Sequence, residues 1–497
     1  MVSERLRVFL VVFVLVAYAS FHTFAEEIFK GKAEDEPLSY SKAILYRAGL
    51  ATAPSSPLKL GPGPYLFIDD FLIQTRQNVE RVVNIPGRPS VFSNPVVTGK
   101  EDGCFQPYMT ILRDDASGKF RLWYGRRTDD LNTSQSHLGY MESDDGITWQ
   151  RPPRVLPDPG YIQFGVSILD EGPAYQNPQA RYKYGWWADG GLKIAASPDG
   201  LTFTPVSPTP VLLHNHDINS IYYDSIRNRY MATISVTKES DLWSGSRRCT
   251  MQSYSQNLIN WCTPHYVLLP DTKREAGQVQ FYAMDGFLTR GDLIVGMAKV
   301  LRDDVVVDKP ADPPEQYGMG YATLAWTRDG ETWVRDPEPF FLPDFHPGTW
   351  DHAHAWIDEQ VLVGDEVFIY YGGYARGHKV NRFEERQIGL VKMKKDRYAG
   401  QKASGLAGKI VTPVLLIEGS TVSVNVDGDG GTLKVQVTDE KGVPVTGFTF
   451  AECPAITADA VGARVQWHKS LTELQGKALK LEFLFDNACL YGFYVEK

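Results

Sequence analysis

Cysteine is scarce, with five residues in a chain of 497, and the odd count leaves at least one thiol free or pairing between molecules. Cys249 and Cys262 are near enough in sequence to meet across a hairpin, and Cys453 and Cys489 to pair near the C-terminus. None has the close spacing of a zinc site, so neither metal nor cofactor is expected. Long apolar runs are also missing. The stretch Val8 to Ala17 falls short of the ~20 residues that a spanning helix needs, and nothing later approaches it. Positive charge is in deficit: 51 Lys and Arg stand against 60 Asp and Glu, a net charge of −9. This excludes a nucleic-acid backbone as partner. The run Lys392-Met393-Lys394-Lys395 reads as one solvated strand face.

The one apolar run has a different use. Arg5 and Arg7 precede it, and small residues follow in Ala17-Tyr18-Ala19 and Thr23-Phe24-Ala25, which predicts an export signal over residues 1–25. The rival, an uncleaved anchor, needs a longer core. The mature chain is then secreted or periplasmic, with no membrane partner. Residues 26–60 carry mixed charge and the stretch Ala51-Thr52-Ala53-Pro54-Ser55-Ser56-Pro57, the composition of a linker or a wrapping arm.

Aromatics at 12%, 44 glycines and 31 prolines suit many short strands and turns. One phrase recurs: Ser143-Asp144-Asp145-Gly146-Ile147-Thr148-Trp149, then Ser197-Pro198-Asp199-Gly200-Leu201-Thr202-Phe203, then Thr327-Arg328-Asp329-Gly330-Glu331-Thr332-Trp333. A weaker copy is Ser255-Gln256-Asn257-Leu258-Ile259-Asn260-Trp261. The copies lie 54, 58 and 72 residues apart, the range of a propeller blade or another stacked unit. Asp-Gly permits a tight turn with φ > 0, the hydroxyl can bond the turn's backbone, and the closing aromatic can pack between sheets.

Each copy ends a unit of three predicted strands. The units begin near Pro107, Val166, Ile218 and Ala283, and a fifth, His354 to Gly373 with Gln387 to Lys394, lacks the phrase. The segment Tyr65 to Ile73 is expected to supply its missing strand and close the ring. The predicted fold is all-β: a five-bladed β-propeller over 61–407, then a β-sandwich over 408–497, where apolar alternation runs between Gly-rich turns.

That plan resembles the invertase and arabinanase group of glycoside hydrolases, and the phrase is similar to the one that ends their blades. It also resembles the sialidase Asp-box with one residue fewer. The resemblance spans about Tyr65 to Lys497 and implies a carbohydrate substrate, cleaved by paired carboxyl groups. The group's nucleophile motif Trp-x-Asn-Asp-Pro-x-Gly is absent, and the one Glu-Cys pair, Glu452-Cys453, falls in the predicted sandwich. A glycan-binding propeller without catalysis and a sialidase-like hydrolase are the alternatives.

Function has to be argued from side chains around the channel. Glycoside hydrolysis needs one protonated carboxyl and a second carboxylate about 5–5.5 or 6.5–9.5 Å away. Acids just before a predicted innermost strand are Glu101 and Asp102 in the first unit, Asp217 in the third, Glu275 in the fourth and Asp351 in the fifth. Asp217 follows His216, and Asp351 precedes His352 and His354, which extended backbone would point to one face. His378 is expected to lean into the same pocket, and Trp187 and Trp350 to stack on sugar rings. Asp351, Asp217 and Glu101 or Asp102 are expected to converge on one channel mouth. The turn acids Asp144, Asp145, Asp199 and Asp329 read as structural.

Overall fold

A computed structural model describes residues 57–497, apart from 130–134, 162–164, 272–274, 276–277, 306–317, 337, 378, 404 and the side chain of residue 106. The expected export signal lies outside the described residues, as does nearly all of the arm over 26–60. Among the described residues the chain is almost all β, with one α-helical turn at Gly99–Asp102. Between residues 104 and 394 its described strands form five consecutive antiparallel meanders in four sheets, the fourth and fifth joined into one seven-stranded sheet by the parallel pair Gly320 and His354. Their inner strands are Cys104–Arg113, Ser167–Asp170, Asn219–Asp224, Val279–Arg290 and His354–Val363. Apolar cores join neighbours in turn. Trp123 and Tyr140 of the first meander pack with Ile168 and Tyr184 of the second. Leu192 and Ile194 meet Ile221 and Ala232, Met231 and Leu268 meet Phe281 and Val300, and Val295 and Leu324 meet Ile357 and Ile369. Finally Tyr370 and Leu390 of the fifth pack on Met109 and Leu122 of the first. The ring is closed.

The repeated phrase forms the turn its sequence predicts, and it also joins the meanders. Ser143 Oγ accepts from Gly146 N at 2.9 Å, and Asp145 Oδ1 accepts from Ile147 N and Thr148 N at 2.8 and 2.7 Å. Ser197 with Asp199, and Thr327 with Asp329, repeat the pattern. Gly146, Gly200 and Gly330 have φ of 73–76°, a region that penalises a Cβ. In each case the glycine carbonyl accepts a bond from the preceding meander: from Tyr370 Oη at 2.7 Å, Trp123 Nε1 at 2.8 Å and Gln252 Nε2 at 2.7 Å. The weak copy keeps Asn257 as turn acceptor but puts Leu258 at φ 63°.

The segment that completes the fifth meander differs from expectation. Gly63–Leu66 pairs with Cys489–Glu496, so Tyr65 to Ile73 does not close the ring. Residues 87–97 do, through backbone bridges of Gly87 to Lys392 and Val97 to Ile388. Between them the Asn94 amide takes the place of a peptide group: Nδ2 donates to Leu390 O at 2.8 Å and Oδ1 accepts from Leu390 N at 2.9 Å. The reason is apolar demand at the other end of the chain. Leu60, Tyr65 and Phe67 fill the core shared by the two C-terminal sheets, where alternate residues Val422, Val424 and Val426 face Leu433, Val435 and Val437.

Strands from both ends of the chain therefore build the C-terminal unit. Leu58–Leu60 pairs with Leu415–Ile417, Thr75–Gln77 with Gly408–Val411, and Glu80–Val83 with Ala399–Lys402. Ala399–Lys402 also pairs with Cys489–Glu496, which moves the near edge of this unit back from the expected residue 408. Asp69 accepts from Trp326 Nε1 at 2.7 Å and from Arg328 Nη1 at 2.6 Å, anchoring the N-terminal strands to the fourth meander. The two expected cysteine pairs do not form, and all five thiols are free. Cys453 Sγ accepts from Val435 N, while Cys489 packs beside Gly400 in the other sheet.

Candidate active site at the channel mouth

The five inner strands start at one end of the ring, here called the mouth. Asp217 precedes the third strand there, 3.0 Å from His216 Nδ1. Arg248 Nε donates to His216 Nε2 at 2.9 Å, so the imidazole carries its own proton on Nδ1, facing Asp217. Burial, then Arg248 and His214, lower the His216 pKa to about 3, and the ring stays neutral. Burial raises the Asp217 pKa, against the opposing pull of Arg248, Arg386 and Arg382. The polar chain runs on: Arg248 Nη1 donates to Gln280 Oε1 at 2.7 Å, and Gln280 Nε2 to Asp303 Oδ2 at 2.7 Å. Asp217 and Asp303 thus flank one network. Both act electrostatically on Tyr282, whose hydroxyl pKa is pushed up to about 12, mainly by burial.

Beneath this network lies an aromatic floor. Tyr282 stacks on Trp356 with centroids 4.8 Å apart, and Trp356 meets Tyr374 edge-on at 5.6 Å. Tyr108 and Ile218 complete the same buried cluster. His354 belongs to it, 4.6 Å from Trp356 and 5.1 Å from Tyr374. Beyond the floor, further along the channel, is a cavity of about 290 Å³ reached by all five inner strands. Lys299 Nζ bridges Asp285, at 2.7 Å, and Asp358 there, and Asp358 also accepts from Met109 N. A register shift carries Asp358 out of regular pairing, and another follows Asp285, which still pairs with Met297; bulges of this kind re-aim side chains. Glu359 faces this cavity, and burial, with Asp285 adding to it, raises its pKa to about 8. The floor separates this charged hub from the mouth.

Of the residues expected from sequence, Asp217 and His216 reach the mouth and most others serve the scaffold. Asp102 is fully buried and takes a bidentate bond from Arg151, 2.8 Å at each oxygen, while Thr98 N donates to it. Glu101 is exposed on the helical turn before it. Glu275 is held by Arg335 Nη2 at 2.6 Å. Asp351 accepts from Arg88 Nη2 at 2.8 Å and from Tyr371 Oη at 3.0 Å. The expected convergence of Asp351, Asp217 and Glu101 or Asp102 is therefore not found: Asp351 and Asp102 sit in two separate ion pairs, and Asp217 is the acid of that set at the mouth. His352 precedes the strand and binds Asp344 O through Nδ1, so it does not share a face with His354. Trp350 packs beside Gly373 and Gly389, within the fold. Trp187 is half-buried at the mouth end of its strand, past the pairing of Gly185 with Ser167, where it can stack on a ligand. His378 lies outside the described residues.

The sequence also holds an Arg-Asp-Pro triplet, Arg335-Asp336-Pro337. Arg335 ends an outer strand, and Asp336 takes a bidentate bond from Arg81 at 3.2 and 2.7 Å. Sequence reasoning passed over Asp303, Arg248, Arg382 and Arg386. The first follows a second strand, Arg248 and Arg386 lie at the starts of third strands, and Arg382 sits in the loop before one, so only pairing register brings them to the mouth.

No sequence family matches the chain, and no curated protein does. Among solved structures it resembles glycoside hydrolases at low identity. A fructofuranosidase from Schwanniomyces occidentalis is 11% identical, with 84% of this chain and 98% of that chain covered at a TM-score of 0.38. An exo-β-1,3-galactanase from Phanerochaete chrysosporium is 9% identical over 84% and 100%, also at 0.38. A β-1,2-mannobiose phosphorylase from Listeria innocua is 13% identical over 64% and 97%, again at 0.38.

Proposed function

We propose that the protein is an exported glycoside hydrolase, a five-bladed β-propeller with a two-sheet β-sandwich, acting at the channel mouth. The observation that carries this reading is the pairing of unlike acids on one network. Asp217 is partly buried, with its pKa raised and a neutral imidazole beside it, whereas Asp303 accepts from Gln280 at 2.7 Å and lies 3.7 Å from Arg247. A carboxyl group pushed towards its protonated form, with a second one held by hydrogen-bond donors on the same network, assigns the acid and the base. Asp217 donates its proton to the glycosidic oxygen as the bond from the anomeric carbon breaks. Asp303 takes a proton from the water that attacks that carbon, giving a free reducing end and an alcohol. Arg248 and Gln280 lie between the two acids, which supports the wider spacing, about 6.5–9.5 Å, that admits a water. Trp187, half-buried at the mouth, supplies aromatic surface for the sugar.

The test is a hydrolysis screen over a glycan library, followed by Asp217→Asn and Asp303→Asn on any substrate found. Each variant should lower kcat by at least ~100-fold and leave the unfolding midpoint unchanged. Activity should also fall on the alkaline side, as Asp217 loses its proton. Undiminished turnover in both variants would overturn the assignment. A glycan-binding propeller without catalysis is the second reading, favoured by the capture of Asp102, Glu275 and Asp351 by arginines. Glycan binding with no hydrolysis would establish it.

A further inference from the structure

The mouth is cationic in a chain that is not. Against a net charge of −9, it gathers Arg248, Arg382 and Arg386 around Asp217. The first and last rest on the aromatic floor: Arg248 lies 4.3 Å from the Tyr282 ring and Arg386 5.4 Å from the Tyr374 ring. Arg386 also donates to Phe105 O at 3.0 Å, and Arg248 is occupied by His216 and Gln280. Arg382 differs. It is half-buried, in the loop between Glu366–Tyr374 and Arg386–Lys394, and among the described residues it makes no hydrogen bond or ion pair. Of the nearby acids in sequence, Glu384 is exposed and Glu385 is taken by Arg376 at 2.9 Å. Burial and the like charge of Arg386 both lower the Arg382 pKa, and the acid that opposes them, Asp217, acts more weakly than Tyr374 and Tyr282 and is itself pushed towards its neutral form.

We propose that this mouth selects glycans carrying an anionic substituent, a carboxylate or a sulfate, held by Arg382 with Arg386 beside the Asp217 carboxyl. Two facts argue against a plain surface arginine. A half-buried guanidinium next to another guanidinium is destabilising unless an anion neutralises the pair, and planar forks of donors match carboxylate and sulfate oxygens. A neutral sugar leaves that repulsion in place and an anionic one relieves it, so discrimination follows from the scaffold's own charge. The inference rests on the mouth being the glycan site.

The experiment uses the full secreted chain on a glycan array of matched uronate, sulfated and neutral oligosaccharides, followed by titration of trigalacturonate and galactotriose. Wild type should favour anionic members at least tenfold at low salt, and the preference should shrink at 0.5 M salt through screening. Arg382→Gln should reduce the ratio at least fivefold, and Arg382→Lys should restore part of it. A preference for uronates alone, or for sulfated sugars alone, identifies the anion and supports the proposal either way. Equal affinity for neutral and anionic glycans would overturn it, and so would a preference that both substitutions leave intact. Were Arg382→Gln to lower the unfolding midpoint, the lysine variant and the salt series would carry the comparison. The two readings fail separately. Anionic preference without any hydrolysis overturns only the catalytic assignment, whereas hydrolysis of neutral and anionic glycans at equal affinity overturns only the selectivity.

Discussion

Asp102 and Asp217 both stand just ahead of an inner strand, yet they have opposite surroundings. Asp102 receives two guanidinium donors and a backbone amide, which satisfies both of its oxygens. Asp217 receives one imidazole contact and sits among arginines that have other engagements or none. At the hub, Glu359 gives a pH test. Its folded pKa of about 8 stands above its ordinary value, so the folded state binds this proton more tightly than the unfolded chain. That contribution is complete below the unfolded pKa and is lost as pH rises through about 8. Partial exposure of the Glu359 side chain screens the effect, which leaves about 2 kcal/mol lost between pH 5 and pH 8. Denaturant unfolding at the two values should show this slope in wild type and a flatter one in Glu359→Gln. Equal slopes would remove Glu359 from the account.

At the scale of elements, the fifth meander tests how a ring can close without a regular fourth strand. The Asn94 amide satisfies both backbone groups of Leu390, and Leu390 is fully buried in the core between the fifth and first meanders. Asn94→Ala leaves an N–H and a C=O there without partners, at a cost of about 2 kcal/mol. Asn94→Asp keeps the acceptor and loses the donor, and should fall between. Urea midpoints would rank the three proteins. An alanine variant as stable as wild type would mean that the bridges at Gly87 and Val97 hold the edge alone. The repeated turns make the same point from the other side: the stitch from each glycine carbonyl to the preceding meander comes from a single side chain.

For the whole molecule, the two ends of the chain are locked together. Strands between Leu58 and Val83 enter both sheets of the C-terminal unit, and Asp69 and Arg81 clamp that stretch to the fourth meander. An export signal ahead of such a segment has to be removed upstream of Leu58, and the spacing leaves room for it. Intact-mass measurement of secreted protein should show loss of the first 19 or 25 residues of the chain. A retained Met1 in a membrane fraction would refute export by cleavage.

What the sequence determined by itself is local. Ser-x-Asp-Gly carries its own hydrogen-bond acceptors and its own positive-φ residue within four positions, so neither turn nor following aromatic depends on distant chain. Period-two alternation likewise marked the strands, and five units of three strands were legible before any contact was known. The tertiary structure decided which acids remain available, because the partners that silence them come from elsewhere: Arg151 is 49 residues from Asp102, Arg335 is 60 from Glu275, and Arg88 is 263 from Asp351. It also decided which segment closes the ring, since Gly63–Leu66 and residues 87–97 are both edge-strand material and the C-terminal core claims the more apolar one. A turn is fixed by bonds between near neighbours, which the order of residues encodes directly. A charge pair is fixed by where closure of the ring brings two distant side chains, and desolvation there outweighs anything written beside either residue.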